Sequence, residues 1–448
     1  MNDTPTPPAN VLVMGAAGRD FHDFLRYFRA RPEYRVRAFT ATQIPYIAAR
    51  AFPRELAGPL YDADIPIHPE AELPALVARY AIDWVFLSYS DLAHEDVMHK
   101  ASLVQALGAN FGLLGPRATE LVATKPVVAI VAARTGAGKS PLAQWLARGL
   151  REAGIRAGVI RHPMPYGDLR RQAVQRFASV DDLERHACTV EEREEYEPYV
   201  DAGLAIFAGV DYAQVLAAAE AESELILWDG GNNDSPFLRP DLTICVLDAL
   251  RPGHELRYYP GETNLRRADV VVINKVGGAV RADVDAMRAT VAAVNPGAAI
   301  VEADLVVSVD SPAAIAGRRV LVIEDGPTLT HGGMRYGAGT IAARRHGAAE
   351  LVEPRATAVG SIAETLAAYP DLRGVLPALG YAPAQLADLA ATIAATIRTG
   401  GAELVLDASP CRLERLIPFA VPSLRVRYAF EQRSGAPLLG TVRALCGR

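Results

Sequence analysis

Lysine is nearly absent from this chain: Lys100, Lys125, Lys139 and Lys275 stand against 42 arginines in 448 residues. The imbalance is the mark of a GC-rich coding sequence. Cysteine is as scarce. Cys188, Cys245, Cys411 and Cys446 lie far apart with no CxxC pair, which argues against a zinc ribbon or a disulfide framework and fits a reducing, cytoplasmic setting. No apolar run reaches the roughly 18–20 residues of a membrane helix. Met1–Asn10 is polar and carries three prolines, without the basic and apolar regions of a secretory signal. A basic balance is also lacking. The net charge of −6 argues against nucleic acid or an acidic lipid surface as partner, so a polyanionic ligand must be met by a local cationic pocket.

What is present is a globular composition, 50% apolar and 22% charged. At roughly 100–200 residues per domain the length implies two or three domains. Short apolar runs alternate with helical patterns, the signature of an α/β fold. Asn10–Met14, Arg35–Thr40 and Asp83–Ser88 read as strands of a first series, with a short last strand in Ala109–Gly115. A second series reads Val127–Ala132, Ala157–Arg161, Leu225–Asp229, Leu242–Leu247, Val270–Asn274 and Val320–Glu324. Ser361–Gly400 is alanine-rich with helical spacing, and Glu403–Asp407 and Leu424–Tyr428 read as late strands. The expected architecture is an N-terminal Rossmann-like domain (1–124) for substrate or anion, then a P-loop NTPase domain with a mostly parallel sheet (125–350). A C-terminal helical and strand extension (351–448) packs on the P-loop domain.

The most specific chemical signal is Val127-Val-Ala-Ile-Val-Ala-Ala-Arg-Thr-Gly-Ala-Gly-Lys-Ser140, an apolar strand running into a glycine-rich turn and then a helix. This is a P-loop in its required context, with Ala133 in place of the first glycine. Backbone N–H groups of Thr135, Gly136, Ala137 and Gly138 would cradle phosphate, Lys139 would neutralise it, and Ser140 would ligate Mg²⁺. Arg134 reads either as a second cation at the transferring phosphate or as a structural arginine. Leu225–Asp229 ends in the carboxylate that a P-loop requires, making Asp229 the second metal ligand. Asp234 reads as a weaker candidate or a turn residue. Asn274-Lys275-Val-Gly277 is similar to the guanine-reading element of GTP-binding proteins, but Gly277 replaces its aspartate. Without that acceptor ATP is favoured over GTP, with Asn274 and Lys275 still at the nucleotide.

Together these stretches resemble cyclic 2,3-diphosphoglycerate synthetase. The likeness also rests on Met14-Gly-Ala-Ala-Gly-Arg-Asp-Phe-His-Asp23, Ser88-Tyr-Ser-Asp91, Trp228–Asp234, Arg251-Pro-Gly-His-Glu255, Pro260-Gly-Glu-Thr-Asn264 and Glu324–Gly339. The resemblance implies a cytoplasmic homodimer that uses ATP and Mg²⁺ to close a small phosphorylated acid, 2,3-diphosphoglycerate or a relative, into a phosphoanhydride. Neither nucleic acid nor membrane is implied as a partner. Such a reaction needs cations more than covalent catalysis.

Candidate cations are Arg19 after the Gly15-Ala-Ala-Gly18 turn, Arg161 and His162 after the second P-loop strand, and His331 with Arg335 in the glycine-rich loop near residue 330. Gly15 and Gly18 with Arg19 read as an anion site or as a plain tight turn. Arg161 and His162 read as a phosphate-sensing switch or as structure. His331 and Arg335 read as catalytic and substrate-binding respectively. The alternative function is a nucleotide-gated GTPase acting as a binding or chaperone-like protein.

Overall fold

The computed structural model describes residues 7–16, 18–42, 50–162, 168–231, 233–330, 334–379, 383–409 and 411–447. The chain forms an α/β fold of mostly parallel sheets, divided into two compact units. One comprises Met1–Arg176, Leu204–Glu302 and Arg433–Arg448; the other comprises Phe177–Gly203 and Ala303–Gln432. Contacts thus join the N-terminal sheet to the P-loop sheet, and join residues 303–350 to the C-terminal segment.

The first unit holds two sheets. The N-terminal one runs Ala51–Phe52, Ile65–Pro69, Tyr34–Ala41, Ala9–Met14, Trp84–Leu87, Asn110–Gly112, parallel except at the Ala51–Phe52 edge. Its central strand shows why a short unbroken apolar run becomes a strand covered on both faces. Val11 and Val13 pack with Phe21, Phe24, Phe28, Phe39 and Phe52 on one face, while Leu12 and Met14 pack with Leu76, Val85 and Leu87 on the other.

The second sheet runs Ile206–Ala208, Ala157–Arg161, Leu225–Asp229, Val127–Ala132, Leu242–Asp248, Val270–Asn274, and then the first residues of Ala299–Val309, all parallel. Register aligns Asp229 with Arg161 on one side and Ile130 on the other. The carboxyl ends of three neighbouring strands therefore open on one edge, where ligands of parallel sheets bind. The P-loop helix, Lys139–Glu152, starts at that edge, and Gly149 on it lies against Leu439 of the C-terminal helix Leu438–Ala444.

In the second unit Arg319–Asp325 is the central parallel strand, paired with Leu404–Ala408, Glu350–Leu351 and Leu376–Ala378. Helix Val190–Asp201 begins with a capping box, Thr189 and Glu192 bonding each other's backbone. It is tied to the later chain by Arg412 and Arg415 on Asp201 at 2.9 and 3.1 Å.

Most expected strands recur within a residue or two, although Leu424–Tyr428 lengthens to Ser423–Ser434 and Ala109–Gly115 shortens to Asn110–Gly112; the single helical stretch 361–400 does not recur. It is two helices, Gly360–Ala368 and Pro383–Gly400, separated by the strand Leu376–Ala378. Pro370 and Gly374 lie in the break, and alanine content alone did not reveal it. No helix among the described residues is long and apolar enough to cross a membrane.

Phe24 is fully buried and meets Phe39, Phe52 and Tyr61 edge-on, at centroid distances of 5.2 to 5.8 Å. Phe24→Ala should cost about 3–5 kcal/mol of stability, read as a lower urea midpoint with unchanged slope.

Candidate nucleotide and acceptor site

Strand Val127–Ala132 delivers the chain into a loop whose Gly136 and Gly138 have φ of 78° and 103°. Side chains rarely adopt such values, so glycine here lets the backbone turn its N–H groups inward. Three carbonyls of this loop are held from outside. Thr135 O accepts from Arg251 at 2.7 Å, Gly136 O from Lys275 Nζ at 2.7 Å, and Ala137 O from Asn274 Nδ2 at 2.8 Å. With its carbonyls occupied the loop keeps its amides for a ligand. Lys275 and Arg251 also pair with Asp248 at 2.8 Å. Burial acts to raise the Asp248 pKa, but the two cations outweigh it and leave it below the ordinary value. Asn274 and Lys275 therefore act on the loop itself.

Lys139 is buried and its Nζ donates to Asn233 Oδ1 at 2.9 Å. Asn233 has a left-handed φ of 60°, and its Nδ2 donates to Asp91 at 2.8 Å and to Thr135 Oγ1 at 3.3 Å. Arg134 stacks on Tyr258 with its guanidinium 3.8 Å from the ring centroid and faces Asp91 at 3.5 Å. Its side chain is thereby anchored beside the loop.

Arg161 reaches both expected metal ligands. Its Nη1 lies 2.6 Å from Asp229 Oδ2 and 3.3 Å from Ser140 Oγ, while the Tyr212 hydroxyl fixes the Arg161 carbonyl at 2.6 Å. A cation thus already bridges a hydroxyl and a carboxylate, the hard oxygen set that suits Mg²⁺ in company with phosphate oxygens. The residues fit the metal, and Ser140 and Asp229 would hold it. Among the described residues no group of three or more His, Cys, Asp or Glu could cage a metal without phosphate.

Next to this, His162 Nδ1 lies 2.7 Å from Asp234 Oδ2, both residues being buried. From the first helix, Arg19–Asp23, which follows the central strand of the N-terminal sheet, Arg19 donates to Ser235 O at 2.9 Å and faces Asp23 at 3.7 Å. Burial pushes Asp23 up to about 6, against the opposing pull of Arg19 and a Ser88 hydrogen bond. Burial and the Arg19 charge hold His22 well below the usual histidine range, stacked on Phe237 at 4.1 Å. In the Gly15–Gly18 turn, Asp20 Oδ1 accepts from the Gly18 amide at 3.2 Å and from the Phe21 amide at 2.8 Å. The turn thus carries its own carboxylate, and an anion there would meet it. Leu113, Leu114, Pro116, Ser235, Tyr259 and Thr263 border a cavity of about 250 Å³ in the same unit.

The structure brings together Arg134, the loop residues, Lys139, Ser140, Arg161, His162, Asp229, Asn274 and Lys275, and sets Arg19 beside them. Arg335 belongs to the second unit, where it is exposed and faces Asp371 at 3.6 Å. His331 lies outside the described residues. Sequence reasoning assigned no role to Asn233, Asp91, Arg251, Asn264 or Asp23, although each sits in a stretch quoted for the family resemblance.

A glycine loop between a parallel strand and a helix, a buried lysine at its end and an aspartate on the neighbouring strand define a P-loop nucleotide-binding protein. No protein-family model matches the chain. The arginine synthetase ArcE of Thermococcus kodakarensis is 52% identical over 432 residues, covering 96% of this chain and 95% of its own. The chain belongs to the family of that protein. Among solved structures, LpxK from Aquifex aeolicus in complex with ATP is 11% identical with a TM-score of 0.43, covering 79% of this chain and 95% of its own. The hydrogenase maturation factor HypB from Archaeoglobus fulgidus is 20% identical with a TM-score of 0.26, covering 40% and 81%. Likenesses this weak carry no argument. The family so shown is that of a named arginine synthetase, and the comparisons lend no specific support to cyclic 2,3-diphosphoglycerate synthesis.

Removing one partner of a buried ion pair is costly. Arg161→Ala should lose about 3–5 kcal/mol in urea unfolding without Mg²⁺, and Mg²⁺ alone should restore part of that loss. In the wild-type protein without nucleotide, Mg²⁺ should leave the urea midpoint unchanged.

Proposed function

We propose that this chain is an ATP-dependent, Mg²⁺-assisted ligase that builds the guanidinium group of arginine. The relative's name supports the product, and 52% identity along nearly all of both chains supports carrying it across. The observation that carries the chemistry is Arg161 bridging Ser140 and Asp229 beside the Lys139–Asn233 contact. These groups converge where the γ-phosphoryl group of a P-loop nucleotide would lie. Arginine differs from the ureido acid citrulline by one terminal nitrogen in place of oxygen. That oxygen is a poor leaving group until it is phosphorylated, after which a nitrogen nucleophile can displace phosphate.

The chain's task is then to hold ATP and the ureido oxygen in line and to neutralise the transferring group. Lys139 would meet the β- and γ-phosphates, and Arg161 would follow the γ-phosphoryl oxygens. Mg²⁺ held by Ser140 and Asp229 would withdraw charge from the same phosphates. ATP is favoured over GTP because Gly277 leaves no carboxylate after Lys275 to read guanine.

The motif resemblance supports a second reading, closure of 2,3-diphosphoglycerate into its cyclic anhydride by the same γ-phosphoryl chemistry. The acceptor region speaks against it. Asp23 and Asp234 flank Arg19, with Asp20 beside Asp23, and a polyanion would meet these carboxylates, whereas a ureido group is neutral and offers N–H donors.

Purified protein should form arginine from citrulline, an ammonium salt and Mg²⁺-ATP, and should form ATP from arginine, ADP and phosphate. Lys139→Ala should lower both rates about a hundredfold or more. Stimulation of ADP release by 2,3-diphosphoglycerate, with no arginine formed, would replace this reading with the anhydride one.

A further inference from the structure

We propose that His162 and Asp234 form a proton-carrying pair that serves the nitrogen nucleophile, an inference that rests on reading the site as a carbon–nitrogen ligase. His162 follows Arg161, whose guanidinium touches Ser140 and Asp229. Asp234 follows Asn233, which holds Lys139. The two segments that grip the phosphate region therefore each place their next residue in the pair.

The imidazole is fixed in place. A Cβ on Gly231 would lie 2.8 to 3.1 Å from His162 ring and Cβ atoms, so the missing side chain there makes room for it. The Phe237 ring lies 5.9 Å away. Asp234 Oδ2 stands 2.7 Å from Nδ1, which leaves Nε2 as the nitrogen that meets a ligand. Once the ring takes up a proton, the Asp234 carboxylate is its ion-pair partner at that distance. The other charged and titratable groups around the pair are Arg19, His22 and Asp23 of the first helix, Arg161 of the adjoining strand, and Tyr259.

Such a pair has work to do only in one of the two ATP-driven reactions. An attacking phosphate is already ionised and has no proton to surrender. A nitrogen that attacks carbon must lose one. Its lone pair forms the C–N bond, and the C–O bond to the phosphate breaks with its electrons going to the phosphate oxygen. The proton leaves nitrogen for His162 Nε2 and passes from there to the departing phosphate.

The test separates phosphorylation from nitrogen attack in the full-length protein. Positional isotope exchange in the β,γ-bridge of ATP, with citrulline and Mg²⁺ but no ammonium, reports the first step; arginine formation with ammonium reports both. His162→Gln and the isosteric Asp234→Asn should keep the exchange within about threefold of wild type while arginine formation falls about 10²–10⁴-fold. Loss in kcat with a nearly unchanged KM for ATP should accompany it. Arginine formation within threefold of wild type in both variants overturns the assignment, as does parallel loss of exchange and arginine formation. If the wild-type protein forms no arginine, the ligase reading falls first and the pair loses its role with it.

Discussion

Asn233 is the point at which four segments of the first unit meet. Its side chain takes the Lys139 ammonium, gives N–H bonds to Asp91 and Thr135, and its carbonyl receives Asn264 Nδ2 at 2.8 Å. The left-handed backbone there lets both ends of one amide face opposite partners. The amide oxygen fixes the Lys139 ammonium at the end of the loop, and the same amide links the P-loop to the N-terminal sheet through Asp91. The remainder of the site depends on that linkage, because Arg134 faces the same aspartate and Asp234 is the next residue along.

How much of this could be read from the residues follows from which interactions are local. Val127–Ala132 is apolar throughout; Ala157–Arg161, Leu225–Asp229 and Val270–Asn274 are mostly apolar runs ending in one polar residue, and each is a strand within those bounds. The phosphate loop, Lys139, Ser140 and Asp229 were legible because strand, turn and helix are contiguous. Ile65–Pro69 and Ile206–Ala208 passed unread, one bounded by proline and the other only three residues long. They owe their strand geometry to neighbours distant in sequence. Asp91, Asn233 and Asn264 were illegible as a group for the same reason, since two lie in turns and one in the helix Gly261–Arg267, and they acquire a shared role only once folding brings those segments together.

The charges around the acceptor region explain why one phosphoryl-transfer engine need not imply one substrate. A polyanionic acceptor calls for a surplus of cations, and cationic side chains are indeed present in number along the sequence. In the folded unit those around the phosphate loop are already committed. Arg251 and Lys275 are engaged on the loop and Asp248, Arg161 on Asp229, and Arg134 on Tyr258. Arg19 sits among carboxylates, with burial opposing its charge and Asp23 and Asp234 outweighing burial. Counting arginines overestimates the positive potential that a ligand would meet.

Burial also alters protonation around Arg19. Asp23 is pushed up to about 6, and His22 is held well below its usual range, so near neutrality the first is mostly ionised and the second uncharged. Under the proposed arginine-forming reaction, a neutral ureido group beside them would need no compensating charge until its oxygen took the phosphoryl group, and that charge would lie on the Lys139 and Arg161 side. Cationic groups at the phosphate loop and carboxylates around Arg19 would then separate the departing phosphate from the uncharged acceptor.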